Sequence, residues 1–160
     1  MRRKIGLVIV LVLPVLVLVG AVQASEYHRV VFKGIDALAI ECDVKTPTGI
    51  DKDSFEKSIK DLALVILKSK LPKIEINDSS SYTLYVSVGA TSGKSIFISG
   101  ANVKLIRLVH IDKEQIFAPV YTKSYIYSNA LSEFEVDTRE IIEKLLTGFI
   151  ADFYRGRPDL

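Results

Sequence analysis

The chain has 160 residues and a formal net charge of +2, and 49% of its residues are hydrophobic. This length fits one ordinary domain, and the apolar content is sufficient for a packed core, which excludes a disordered chain. One Cys and two His exclude a disulfide framework, a Cys-rich zinc module and a CxxC redox motif.

Residues 1–24 have the order of a secretory signal peptide. Three basic residues follow Met1, an apolar run of 18 residues extends from Ile5 to Val22, and Ala24 ends a Val-x-Ala site of small residues. We expect cleavage after Ala24 and a periplasmic or secreted protein. The alternative is an uncleaved membrane anchor, because the run approaches the length of a spanning helix. Ser25 follows the site, so lipid attachment to a Cys is not expected.

The basic charge of the chain lies in this segment. Without residues 1–24, 18 basic residues stand against 19 acidic ones, a net charge of −1. A strongly basic nucleic-acid surface is therefore not expected. Contact with a membrane would come only through residues 1–24, if they are retained.

The remaining sequence predicts a lead-in at residues 25–34 and a single α+β domain at residues 35–160. The lead-in contains the apolar group Val30-Val31-Phe32, which is interpreted as a short edge strand. Alternation from Leu38 to Val44 predicts the first strand of the domain. A helix is predicted from Asp51 to Lys70, capped by Asp51 or Asp53. Its apolar face comprises Phe55, Ile59, Leu62 and Ile66.

Four further strands and a second helix follow. The strands are predicted at residues 73–77, 82–88, 95–111 and 115–128, with a turn at Gly89–Gly93, a bulge at Ser99-Gly100 and Pro119 marking an edge or bulge. The last helix starts at a capping box at Asp137 and has one apolar stripe. The order β-α-β-β-β-β-α predicts a two-layer sandwich with two amphipathic helices on one face of a largely antiparallel sheet of about five strands.

Few residues support catalytic or metal chemistry, and no cofactor is expected. The stretch from Gly89 to Ser95 resembles a phosphate-binding loop, but it has three residues between its glycines instead of four and precedes a strand pattern. His28 and His110 are interpreted as solvated or edge positions, and Cys42 as a small hydrophobe. The acidic cluster Glu133, Glu135 and Asp137 is interpreted as a polar loop and helix start.

One face of the last strand carries the predicted partner surface. Tyr121, Lys123, Tyr125 and Tyr127 alternate along it, and Tyr85 would extend it. Aromatic and basic side chains interleaved on an exposed sheet face are typical of surfaces that bind glycans, peptides or proteins. The alternative is ordinary cross-strand packing.

Several phrases between Ile50 and Pro158 resemble a family of small, uncharacterised exported bacterial proteins. They are Ser54-Phe55-Glu56-Lys57, Tyr82-Thr83-Leu84-Tyr85-Val86-Ser87-Val88, Phe117-Ala118-Pro119-Val120-Tyr121 and Phe149-Ile150-Ala151-Asp152-Phe153-Tyr154. The layout is also similar to envelope-assembly lipoprotein domains, although the lipid-attachment Cys of those proteins is missing. The resemblance implies a periplasmic or secreted α+β protein, with no site residues to carry over.

The functional hypothesis is a non-enzymatic binding or assembly module of the cell envelope, with a protein or an envelope polymer as its partner. One alternative is an envelope hydrolase with carboxylates that spacing does not reveal. The other is a carrier of a small ligand between sheet and helices. The sequence leaves the oligomeric state open.

The signal-peptide assignment predicts that the exported protein begins at Ser25. Edman sequencing or mass spectrometry of the protein purified from cells checks this directly. An intact Met1, or a start at another residue, would contradict the assignment.

Overall fold

The computed structural model describes residues 26–92, 97–112 and 114–160. The predicted signal peptide lies outside these residues, as do Gly93, Lys94 and Ser95 of the loop resembling a phosphate-binding site. The described residues form two compact units. One comprises residues 34–151, and the other comprises residues 26–33 together with residues 152–160.

The chain forms three helices and five strands, so the predicted α+β class is confirmed. In order these are α1 (residues 26–32), β1 (Ala37–Lys45), α2 (Lys52–Lys70), β2 (Glu75–Ile76), β3 (Tyr82–Ser92), β4 (Phe97–Ile111), β5 (Glu114–Asn129) and α3 (Phe134–Gly156), with a 3-10 turn at Leu131–Glu133 before α3.

Helix α1 replaces the edge strand predicted at Val30-Val31-Phe32. Its i, i+4 pair, His28 and Phe32, shares one helical face, and the Phe32 ring lies 5.2 Å from that of Phe153. Phe32 is fully buried, whereas Val30 is 75% exposed. The burial of one aromatic ring therefore outweighs the strand preference of the two valines, which packing commonly overrides.

The sheet is mixed, and the prediction of a largely antiparallel sheet is therefore wrong for part of it. The strand order is β2-β1-β3-β4-β5. Strand β1 is parallel to both β2 and β3, whereas β3, β4 and β5 are antiparallel. Helix α2 carries the chain back to the end of the sheet at which β1 began, so the next strand must run parallel to β1.

One face of the sheet is buried along continuous rows of residues that face each other across the strands. Ile40, Leu84, Leu105 and Tyr121 form one such row, and all four are buried. Helices α2 and α3 both lie on this face, and the rings of Phe55 and Phe134 join them, with their centroids 5.5 Å apart. The prediction of two helices on one face holds for α2 and α3.

Helix α2 has the predicted range and a cap of slightly different detail. The Asp51 carboxylate caps it by accepting hydrogen bonds from the Asp53 N–H and the Ser54 hydroxyl. Glu56, predicted to complete a capping box, instead lies 3.4 Å from the backbone N of Val44. The fully buried row differs from the predicted one and consists of Phe55, Ile59, Ala63 and Leu67.

Helix α3 begins at Phe134, three residues before the predicted start at Asp137. Phe134 is fully buried, which ties the first turn to the core. The predicted stripe is confirmed: Ile141, Ile142, Leu145, Leu146, Phe149, Ile150 and Phe153 are all buried.

The β3–β4 hairpin differs from the prediction at both of its glycines. Gly89 pairs with Gly100 inside the ladder, so β3 continues through most of the predicted turn. The register shift lies between Leu105 and Ile106, opposite Tyr121 and Pro119, and not at Ser99-Gly100. Proline has no N–H to donate, so the ladder breaks at Pro119, as the sequence predicted.

Two glycines of α3 predict opposite effects of the same substitution. A Cβ at Gly156 would collide with the backbone carbonyl of His28, so Gly156→Ala should lower the free energy of unfolding by about 1–3 kcal/mol. A Cβ at Gly148 would lie 2.7 Å from Lys123 Nζ, the movable end of a side chain. Gly148→Ala should therefore be neutral or stabilise by up to about 1 kcal/mol through helix propensity. Thermal unfolding followed by circular dichroism measures both, and a stabilising Gly156→Ala would contradict this packing.

Candidate functional site

The residues predicted as an exposed tyrosine face lie on the buried side of the sheet. Lys123 pairs with Val103, and Tyr121 pairs with Leu105; both β4 partners are fully buried. The expectation of a solvent-exposed sheet face is therefore wrong. Alternation shows which residues share a face, but it does not show which face the helices cover.

Tyr121 belongs to the core. It is 6% exposed, and its ring meets that of Phe149 of α3 edge-on, with centroids 5.5 Å apart. Such aromatic pairs stabilise beyond the area they bury. Tyr121 therefore holds β5 against α3 and is not a partner contact.

Tyr127 is half-buried and bonded to α3. Its hydroxyl lies 2.6 Å from the hydroxyl of Thr138, which is fully buried. Burial raises the pKa of Tyr127, although its hydrogen bonds with Thr138 and Ser99 oppose the increase. Next to it, the Ser99 hydroxyl donates to the Asn129 side-chain oxygen at 3.5 Å. The described residues offer the Asn129 amide nitrogen no hydrogen-bond partner.

Lys123 and Tyr125 complete the β5 side of the site. Tyr125 is 55% exposed, and Lys123 is half-buried with its ammonium group next to Gly148. A groove of about 500 Å³ runs between β5 and α3. It is lined by Lys123, Ser124, Tyr125, Tyr127 and Ser128 of β5 and by Asp137, Glu140, Ile141, Lys144 and Leu145 of α3.

Tyr85 lies on the opposite face of the sheet and does not extend this groove. It pairs with Glu41 on one side and Lys104 on the other. Its hydroxyl donates to an Asp43 carboxylate oxygen at 3.2 Å. Partial burial and the charge of Asp43 raise the pKa of Tyr85.

The groove has an acidic end and a basic end. The Tyr127–Thr138 bond and the approach of Lys123 to Gly148 show that β5 and α3 run in opposite directions along it. Asp137 and Glu140 therefore lie towards Tyr127, while Lys144 and Lys123 lie towards the other end. Glu140 and Lys144 meet as an exposed i, i+4 pair at 3.9 Å, which contributes little stability.

The α3 lining was missed at the sequence level, apart from Asp137, which was interpreted as part of a polar loop and helix start. Glu140, Ile141, Lys144 and Leu145 follow Asp137 at helical spacing, so they share one side of α3. That spacing was visible in the sequence. Its position beneath β5 depends on the sheet register, which spacing alone does not show.

The two histidines differ from each other in placement. The His28 side chain is 15% exposed, and its Nε2 lies 3.9 Å from the Asp152 carboxylate, which also accepts a 2.7 Å bond from Arg155. His28 is therefore not the solvated or edge residue that was predicted. His110 is exposed and lies 3.2 Å from the Gln115 amide. Across the described residues, no three His, Cys, Asp or Glu side chains converge as a metal site would require.

Cys42 faces the helices with the rest of its row. Burial, together with the charges of Glu56 and Asp43, raises the pKa of the Cys42 thiol to about 12. A thiol with this pKa carries almost no thiolate at neutral pH, and the thiolate is the reactive form. The arrangement favours the structural role predicted for Cys42.

Known proteins resemble this chain only in structure. The sequence matches no protein-family model and no curated protein. Among solved structures, the PelC dodecamer from Paraburkholderia phytofirmans is 17% identical with a TM-score of 0.45, over 71% of this chain and 85% of PelC. A minor lipoprotein from Acinetobacter baumannii is 17% identical with a TM-score of 0.41, over 77% of this chain and 93% of that protein.

A hypothetical protein from Chlamydia trachomatis is 7% identical with a TM-score of 0.45, over 73% of this chain and 97% of that protein. At these scores, the similarities indicate nothing about what this chain binds. No helix in the described part of the chain combines the length and apolarity needed to cross a membrane.

The Tyr127–Thr138 bond predicts a coupled pair of substitutions. Tyr127→Phe and Thr138→Val should each lower the free energy of unfolding by about 1–2 kcal/mol, because each leaves a buried hydroxyl without its partner. The double variant should cost less than the sum of the two, as expected for groups that share one bond. Urea unfolding measures the cycle, with Tyr125→Phe as the control that changes an exposed hydroxyl. Additive losses would show that the bond does not form.

Proposed function

We propose that this chain is an exported, non-enzymatic binding module of the cell envelope, and that its partner lies in the groove between β5 and α3. The partner is a protein or an envelope polymer. The observation that carries this proposal is the groove itself, in which the exposed Tyr125 stands beside side chains of both charges. Tyrosine offers a large apolar ring and a polar hydroxyl at small entropic cost, which is why it is common at binding surfaces.

The placement of the acidic residues supports binding over hydrolysis. A hydrolytic carboxylate pair flanks the bond to be broken from two sides. Asp137 and Glu140 instead stand one turn apart on the same helix, on one wall of the groove. Neither His28 nor Cys42 lines the groove.

The export part of the proposal rests on the pattern of residues 1–24. The near-neutral charge of the remaining chain supports a partner other than a nucleic acid. An exported binding module with one groove needs no cofactor for its function.

Site-specific photocrosslinking in intact cells tests the groove. A benzophenone amino acid replaces Tyr125 in one strain and Tyr85, on the opposite face, in the matched control. We expect a discrete adduct from position 125 and none from position 85. Adding Lys144→Ala should reduce the adduct severalfold without changing the circular dichroism spectrum, because Lys144 is an exposed groove residue. Equal adducts from both positions would overturn the proposed site.

A further inference from the structure

Strand β5 is an edge of the sheet along the whole groove. In the part of the chain that the structure describes, β5 pairs with β4 on one side only. It is 16 residues long, whereas the opposite edge strand, β2, has two. Natural sheets usually protect long edges with proline, bulges or charges, since an unpaired edge is a template for another strand.

The protection of β5 is uneven. Pro119 and the register shift disrupt its first half. Beyond them, Ser124, Ile126 and Ser128 are exposed, and Ile126 is 77% exposed. The remaining device is Lys123, an inward-facing charge that disfavours an incoming apolar strand. A strand that brings a carboxylate to Lys123 would meet no such penalty.

We propose that the partner is a polypeptide segment that adds to the outer edge of β5 as a sixth strand. Its alternate side chains enter the groove, with an acidic residue at the Lys123 and Lys144 end and a basic residue at the Asp137 and Glu140 end. The proposal rests on the proposed function and narrows its partner to a polypeptide. Main-chain hydrogen bonds provide affinity in this mode, and the side-chain pockets provide selectivity.

The dimensions of the groove determine the spacing of the two charges. From Lys123 to Tyr127, β5 covers about 13 Å at the rise of a strand. From Asp137 to Lys144, α3 covers about 10 Å at the rise of a helix. An added strand travels the same distance in four residues, and its side chains at i, i+2 and i+4 face the same way.

The middle side chain of that strand faces apolar surface. Ile141 and Leu145 form the α3 wall between the charged ends, and Tyr125 stands opposite on β5. The segment is therefore expected to carry an apolar residue midway between an acidic and a basic residue that are four positions apart. Like charges at both ends would bring one of them against a groove residue of the same sign.

Synthetic nine-residue peptides of alternating Thr and Val test this. One peptide carries Lys and Glu four residues apart, and two controls carry two Lys or two Glu at those positions. Amide chemical-shift titrations of the exported protein measure the Kd of each. We expect the mixed peptide to bind about tenfold tighter than either control. In the Lys144→Glu variant, the preference should move to the peptide with two Lys.

A backbone-methylated form of the mixed peptide separates strand addition from simple groove binding. Methylation of the N–H groups that would pair with β5 should weaken binding about tenfold, because it removes main-chain bonds and leaves the side chains unchanged. Equal binding of the methylated peptide, or binding that ignores charge, would overturn strand addition.

The remaining outcomes distinguish this inference from the proposed function. A polymer adduct from position 125 with no peptide binding would overturn the strand and keep the groove. Failure of the position-125 crosslink would overturn the groove itself. A dimer in sedimentation that the Lys144→Glu variant dissolves would identify a second copy as the occupant, and would overturn a separate partner.

Discussion

The site depends on one aromatic contact, that of Tyr121 with Phe149. Tyr121 ends the buried row that starts at Ile40, and its ring meets Phe149 edge-on at 5.5 Å. This contact holds the edge strand of the sheet on α3. Past it, Lys123 and Tyr125 occupy the same side of β5 without complete burial, and the groove opens there. Without this contact, β5 would have no fixed position relative to the helix that forms the other wall.

Two further features define the ends of the groove. At one end, the Tyr127 and Thr138 hydroxyls are bonded across it. At the other end, Gly148 lets the Lys123 side chain lie against the helix, because no Cβ stands in its path. The ionic groups between these ends are arranged by the opposite directions of β5 and α3. Packing and polarity therefore come from the same pair of elements.

The sequence identified the right residues of β5 for an incomplete reason. Alternation placed Tyr125, Tyr127 and Lys123 together, and the structure places all three in one groove. The face they occupy was mistaken, because period two is symmetric between the two sides of a sheet. Tyr85 fails for the same reason, since it shares the other face with Lys104. The α3 wall was visible as helical spacing, but its role depends on contacts far apart in sequence.

The fold divides in the same way. Local patterns specify α2 with its Asp51 cap, the apolar stripe of α3 and the break at Pro119, because these depend on neighbours within a turn or a strand. The helix at residues 26–32, the parallel pairing of β1 and the covered face of β5 depend on partners elsewhere in the chain. Propensity and periodicity describe one segment at a time. Burial, which decides among the arrangements that each segment allows, is a property of all of them together.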